Sequence, residues 1–331
     1  MKIMKDWVLH AAARHFHFNE ESLVLINDGP FSPNAVYGFS RADGAYILRI
    51  TRKKHRHIAK TLAEIDWINF LYAHGACVSP AIRAVEGSFV VPCAEEEREY
   101  ILSAFERAHG QRCDKDNPAT WNPRVFHNWG RAMGDIHRIT RAYSAPPGMR
   151  RATFDGGDAL NPGALALPAL REMAIALIAQ LDALPRDRAN YTLIHADLHQ
   201  NNFLVEPGEE GEPLLHVFDF DDSMYGPLAL DIGIALYHAV LWGVQGLPNA
   251  QQQAQKVITL FMRGYLAANT LSDAQLDAIV PCMRFRKVCE VGWSKQLALE
   301  SDAWIHRQIA QLQEGILFCD IDIKPSWFTG C

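Results

Sequence analysis

The chain has 331 residues, 49% hydrophobic and 21% charged. That profile suits a folded globular protein with room for two domains, and it excludes a disordered or fibrous chain. Lys and Arg number 32 against 38 Asp and Glu, a formal charge of −6 without any basic block, so no nucleic-acid partner is expected.

Seven scattered cysteines, odd in number and without a CxxC pair, argue for reduced thiols in a cytoplasmic protein rather than a disulfide frame or zinc knuckle. The opening "MKIMKDWVLHAAARHF" is interrupted by Asp6, His10 and Arg14, so it reads as an amphipathic helix, neither signal peptide nor anchor. Three runs rich in β-branched and aromatic residues follow, "SLVLIND", "AVYGFS" and "AYILRIT". They are separated by turn material and predict three strands over residues 22–51. Residues 57–75 then place Ile58, Leu62, Ile65, Ile68 and Tyr72 at three- and four-residue spacing, with Gly75 just past the end, which predicts a helix with one apolar face. "GSFVVPC" and "REYILSAF" predict two more strands.

From about residue 120 the pattern turns helical, over 120–142, 167–183, 228–243, 250–267, 272–299 and 302–315. The apolar stretch "IGIALYHAVLWGVQGL" contains His238 and Gln245 and falls short of the roughly 20 residues of a membrane span, so no membrane partner is expected. A Pro/Gly-rich stretch over residues 144–168 is long enough to be a functional loop. The expected organisation is α+β in two lobes: a small sheet-plus-helix lobe over 1–104, a hinge at 105–109, and a mainly helical lobe over 110–331 that holds one polar β-hairpin.

That hairpin, "TLIHADLHQNNFLV" with its partner "LLHVFDF", carries the chemistry. His195, Asp197 and Asn202 form H-x-D-x-x-x-x-N. In phosphoryl transfer a carboxylate orients an attacking hydroxyl and accepts its proton, while an amide five residues on ligates Mg²⁺ beside the phosphates. Asp219 ends the partner strand, where a carboxylate is costly to bury unless a cation neutralises it, so Asn202 and Asp219 are expected to share one metal. Arg49 on a strand and Glu64 on the following helix suit a clamp for the α- and β-phosphates. The loop 28–34, with Gly29, Ser32 and Asn34, is placed to lay backbone N–H groups over them.

Together, "IHADLHQNNFLV…VFDFDDSMYGPLALDIG" resembles the aminoglycoside phosphotransferase and choline kinase superfamily, and most of all its bacterial stress-response-kinase and hydroxylysine-kinase-like branches. The resemblance implies a protein-kinase-like fold that uses Mg²⁺ and ATP or GTP, with Asp197 as base and Asn202 and Asp219 as metal ligands. It implies that Asp231 braces the catalytic loop, that His195 supports the loop by hydrogen bonds, and that backbone from Phe105 through Arg107 to Ala108 holds the base. The chain departs from many relatives in having Arg49 where Lys is usual and Ala196 where Gly is common. Arg is not a neutral exchange, because its rigid fork favours bidentate contacts.

Each residue also has a plainer reading. Asp231 would make a good N-cap by itself, Glu64 a surface ion pair, and His137 a packed helix histidine; the pairs His15/His17 and His55/His57 are expected to be solvated, facing no acid. The acceptor expected is a small molecule with a hydroxyl. Asp155, Asp158, Glu290, Trp293, Glu300 and Asp302 are pocket candidates whose acidic and aromatic groups would suit a cationic amine. Three alternatives compete with this reading: a protein Ser/Thr kinase, disfavoured by the short run from Asp219 to Asp231; a metallohydrolase using His195, Asp197, His199 and Asp219; and a non-catalytic nucleotide sensor.

Overall fold

A computed structural model describes residues 6–27, 34–52, 57–95, 98–154, 165–208 and 211–329. The chain divides into two compact units, one of residues 1–109 with 143–151 and one of residues 110–142 with 152–331. The architecture is α+β.

The first unit is built on an antiparallel sheet. Its strands are β1 (Val24–Asn27), β2 (Asn34–Arg41), β3 (Gly44–Arg52), β4 (Ala81–Ile82), β5 (Val91–Glu95) and β6 (Arg98–Glu106), with α1 (Asp6–Phe16) and α2 (Ile58–Ala73). The order is β1-β2-β3-β6-β4, and β5 also pairs with β6. Alternation along β3 decides what each face does. Tyr46, Leu48 and Ile50 join Val8, Ala12 and Phe16 of α1 in one apolar cluster with Tyr37, Phe39 and Leu102. Arg49 therefore points to the opposite face, with Ser103 as its cross-strand partner.

The run 87–93 is strand only from Val91, because Gly87 (φ +89°) sits in a turn closed by its N–H on Ala84 O. The two-residue β4 carries too little pattern to be read from sequence. Gly75 (φ +88°) ends α2 as expected, its N–H donating to Tyr72 O.

The second unit holds β7 (Gln111–Arg112), α3 (Pro123–Thr140), α4 (Pro168–Asp182), β8 (Tyr191–Ile194), β9 (Phe203–Pro207), β10 (Pro213–Val217), β11 (Met224–Pro227), α5 (Leu228–Gly243), α6 (Ala250–Ala268), α7 (Asp273–Gln296) and α8 (Asp302–Gln313). The expected hairpin is β9–β10, in register from Phe203↔Val217 to Pro207↔Pro213, with β7 added beyond β9. β11 was not foreseen. It pairs Met224–Pro227 with Tyr191–Ile194 of β8, and Tyr225 also exchanges backbone bonds with Ala152 and Phe154. The run from Asp219 to α5 is thus tied into paired backbone. Among the described residues, no helix is long and apolar enough to cross a membrane.

Helices α3 and α6 approach almost backbone to backbone. A Cβ on Gly130 would lie 1.8 Å from Phe261 O, and one on Gly264 would lie 1.8 Å from His127 O. Overpacking of this kind has no flexible side chain to yield, so Gly130→Ala is expected to destabilise the fold by about 3 kcal/mol, read as a lower urea midpoint at unchanged slope.

Candidate active site

Strand β8 delivers the chain to an irregular stretch, residues 195–202, which β9 resumes. The stretch is fixed from behind by Asp231, fully buried in the first turn of α5. One carboxylate oxygen accepts the His195 N–H at 2.9 Å and the other accepts the Ala196 N–H at 2.8 Å. Two consecutive amides aimed at one carboxylate require a sharp backbone turn, and Ala196 takes it at φ +64°. A non-glycine residue there costs roughly 1–2 kcal/mol.

Asp231 is not the N-cap suggested by its place before "IGIALYHAV". Pro227 holds that position, and the carboxylate faces inward instead. Its charge is met by fully buried His137 on α3, whose Nε2 lies 3.0 Å from Oδ2. His137 Nδ1 lies 2.8 Å from Tyr265 OH on α6, which accepts from Asn269 Nδ2 at 2.9 Å. His137 is packed, as expected, but it packs as a link in this chain of hydrogen bonds.

His195 is likewise structural. Its Nδ1 accepts the Asp197 N–H at 3.3 Å, so Nε2 donates to Phe218 O at 3.0 Å. Burial lowers its pKa, against the opposing pull of Asp231 and the Phe218 carbonyl. With both nitrogens engaged and the ring neutral, it is poorly placed to serve a metal. Among the described residues, no group of three or more His, Cys, Asp or Glu is placed to hold one.

Asp197 is clamped at both oxygens. Oδ1 accepts from Arg286 Nη2 at 2.8 Å; Oδ2 accepts from Asn202 Nδ2 at 3.1 Å and lies 3.3 Å from His199 Nε2. Burial pushes this carboxyl up, but the Arg286 guanidinium and His199 outweigh it and hold the group well below the usual carboxylate range. Asp197 is therefore ionised at neutral pH and able to accept a hydrogen bond.

The Asn202 amide nitrogen also donates to Asp197 O at 2.8 Å, which leaves Oδ1 as the atom a hard cation would take. Asn202 O in turn accepts the Phe218 N–H at 3.0 Å, one residue before Asp219, so the amide and the carboxylate emerge from the same end of the hairpin. An amide and a carboxylate oxygen form a donor set that suits Mg²⁺. Asp219 is not the buried strand-end carboxylate expected from its apolar neighbours. The residue is exposed, and its φ of +62° takes the chain off the β10 ladder.

Arg286 had no sequence signal, since a lone Arg within α7 reads as a solvated residue. It is buried, and its Nε lies 3.3 Å from Glu290 Oε1. His238 Nε2 is 3.0 Å from both Arg286 Nε and Glu290 Oε1. Trp293 lies under the guanidinium at 5.0 Å. Of the pocket candidates, Glu290 and Trp293 thus gather near Asp197. Glu300 and Asp302 do not: Glu300 is exposed, and Asp302 pairs with Lys295. Asp155 and Asp158 lie outside the described residues.

In the first unit, Arg49 and Glu64 form a bidentate pair, at 2.7 Å (Nη1–Oε1) and 3.0 Å (Nη2–Oε2). Both are buried, at 6% and 1% exposure, which overturns the surface-pair reading of Glu64. Arg49 Nε also donates to Ser103 Oγ at 3.3 Å, and the Phe105 ring lies 4.9 Å below the guanidinium. The Asn34 side chain is turned inward to accept from Thr51 Oγ1 at 2.6 Å; Gly29 and Ser32 lie outside the described residues. The Glu106 and Arg107 N–H groups bond Pro80 O and Ala45 O, so the Arg107 donor is engaged inside the sheet. His15, expected to face no acid, instead meets Glu86 with its Nδ1 at 2.9 Å.

Residues 29–268 match the sequence profile of the phosphotransferase enzyme family. The chain is 28% identical over 299 residues to an amicoumacin kinase of Bacillus subtilis (strain 168), covering 88% of this chain and 85% of the relative. It is similar in structure to an amicoumacin kinase solved in complex with AMP-PNP, Ca²⁺ and Ami, with TM-score 0.86, 26% identity and 96% of each chain covered. A microcompartment-associated aminopropanol kinase matches with TM-score 0.68 and 20% identity, over 92% of this chain and 94% of that one.

The buried Asp231 is the position most exposed to substitution. Asp231→Asn replaces one acceptor with an NH₂ group facing a donor and removes the anion beside His137, so a loss of about 3 kcal/mol is expected in equilibrium unfolding.

Proposed function

The chain belongs to the phosphotransferase enzyme family, as a kinase acting on small molecules, and we propose that it transfers the γ-phosphate of Mg–ATP to a hydroxyl of a cationic amino alcohol, with Asp197 as the group that meets that hydroxyl. One observation carries this reading. Asp197 and Asn202 are bonded to each other within a single loop, and the Asn202 carbonyl is bonded to the residue preceding Asp219. Base, amide and second carboxylate are gathered at one hairpin end.

In this reading the acceptor O–H donates to the Asp197 carboxylate, which aims the oxygen at the γ-phosphorus. As the new P–O bond forms and the bond to ADP breaks, the hydroxyl proton passes to Asp197. The transition state is loose, so orientation and charge matter more than base strength. That fits a carboxylate held ionised by a neighbouring cation. Asn202 Oδ1 and Asp219 would hold the Mg²⁺, which supplies charge neutralisation at the β- and γ-phosphates. Arg49, fixed by Glu64, would contact the phosphates. The loop 28–34 and backbone near residues 105–108 would hold the rest of the nucleotide. The AMP-PNP bound by the solved amicoumacin kinase supports adenine over guanine.

The charge around Asp197 supports the acceptor class. Asp197 and Glu290 outnumber Arg286, with His238 lowered by burial and by Arg286, so the cluster leans negative and would welcome an ammonium group. The amicoumacin kinase relatives support a small-molecule acceptor.

Asp197→Ala is expected to reduce turnover by about 10³-fold while Mg–ATP still raises the melting point. Nucleotide at about 100 times its dissociation constant stabilises the fold by roughly 2.7 kcal/mol, which thermal melting resolves. Unchanged turnover would remove Asp197 from its role.

Asp219→Ala is expected to weaken nucleotide binding in the presence of Mg²⁺ and to leave binding in EDTA unaltered, measured by titration calorimetry. An equal loss in both conditions would mean that Asp219 does not act through the metal.

A further inference from the structure

Among the described residues, Arg286 is the one charged side chain from outside residues 195–202 that bonds the Asp197 carboxylate. A buried cation needs an anion, and Glu290, one turn along α7, already provides it at 3.3 Å. The 2.8 Å bond to Asp197 Oδ1 is additional to that need. It also has a distinct geometry. Asn202 and His199 hold Oδ2 from within the loop, whereas Arg286 holds Oδ1 from a buried segment of α7. A carboxylate gripped at both oxygens from two separate elements cannot rotate about its side-chain bonds, whereas one gripped only by its own loop can. The guanidinium is itself immobilised by His238, Glu290 and the Trp293 ring, and Asp222 and Cys289 also face it.

We propose that Arg286 is a positioning residue for phosphate transfer. It fixes the Asp197 carboxylate in the orientation that receives the acceptor hydroxyl, and it ties that orientation to Glu290 on α7 and His238 on α5. A cation beside a carboxylate weakens it as a base, so the contact serves placement rather than proton affinity. In a loose transfer, misplacement by about 1 Å is enough to reduce the rate on the order of 100-fold. The inference rests on Asp197 being the group that meets the acceptor.

The test uses Arg286→Met, Arg286→Lys and Asp197→Asn, plus the Asp197→Asn/Arg286→Met double variant, on the full chain. Activity is read as phosphate transfer from Mg–ATP to amicoumacin and to 1-amino-2-propanol, and as ATP hydrolysis without acceptor, where water takes the hydroxyl's place. Arg286→Met is expected to lower kcat about 100-fold while KM for ATP and the Mg–ATP melting shift hold within about twofold. Arg286→Lys, which restores a cation without the fork, recovers about tenfold of that loss. The double variant is no slower than Asp197→Asn alone, because the two residues act as one unit.

Arg286→Met turning over within about threefold of the parent overturns the proposal. So do multiplying losses in the double variant, or kcat, KM and melting point falling together in Arg286→Lys as in Arg286→Met. Should Arg286→Met fail to fold, Arg286→Lys and Glu290→Gln decide by the same split of kcat against KM. Asp197→Asn at full activity, or a parent chain inactive in every assay, brings down the functional reading and this inference with it. An inactive Asp197→Asn beside a fully active Arg286→Met brings down the inference alone.

Discussion

One buried carboxylate organises the stretch 195–202. Asp231 accepts two successive backbone N–H groups, from His195 and Ala196, and a third bond from His137. An ionised group without water is tolerable only when its acceptor sites are filled, and here all the partners come from elements that must already be in place. The consequence is a forced backbone. Ala196 turns through positive φ, and the next residue, Asp197, is held by Arg286 and Asn202. The strain at Ala196 and the burial of Asp231 are two sides of one constraint.

The anchoring extends outward through helices packed closely enough to be rigid. His137 sits on α3 and Tyr265 on α6, and these two helices meet where Gly130 and Gly264 allow backbone contact. A relay of hydrogen bonds from Asn269 to Asp231 can hold its distances only if the helices carrying it do not slide. Close packing in one place thus sets the precision of a polar site in another. The same logic recurs on a smaller scale in the first unit, where the β3–β6 register sets Ser103 beside Arg49 and the pair with Glu64 closes against the sheet.

Electrostatics at Asp197 runs against the simplest picture of a general base. A strong base would be desolvated and unpaired; this carboxylate is paired with Arg286 and held low. Transfer through a loose transition state does not need a strong base, because the proton moves late. It needs an anion in one orientation. Arg286, Glu290, His238 and Trp293 gather beside that carboxylate, and the opposite charges of Arg286 and Glu290 keep their own burial tolerable.

Much of this was legible in the chain. The α+β order, the limits of α5 and the hairpin β9–β10 follow from hydrophobic periodicity, which is local. The grouping of Asp197 with Asn202 follows from a spacing of five residues on one loop, and the Arg49–Glu64 pair from strand and helix neighbours fifteen residues apart. Arg286 was not legible. It stands 89 residues from Asp197, on a helix whose periodicity does not mark it, and only the packing of α5 and α7 brings it to the loop. The inward turn of Asp231 was hidden from local pattern, since an Asp near a helix start has the same signature whether it caps the helix or braces something else; only the family resemblance anticipated it. The exposure of Asp219 and the pairing of β11 with β8 depend on backbone conformation and distant partners. Periodicity and spacing are properties of neighbours in sequence, so the chain alone determined its elements and the grouping of Asp197 with Asn202. Which charge steadies that group depends on side chains brought together by folding, and only the tertiary structure decided it.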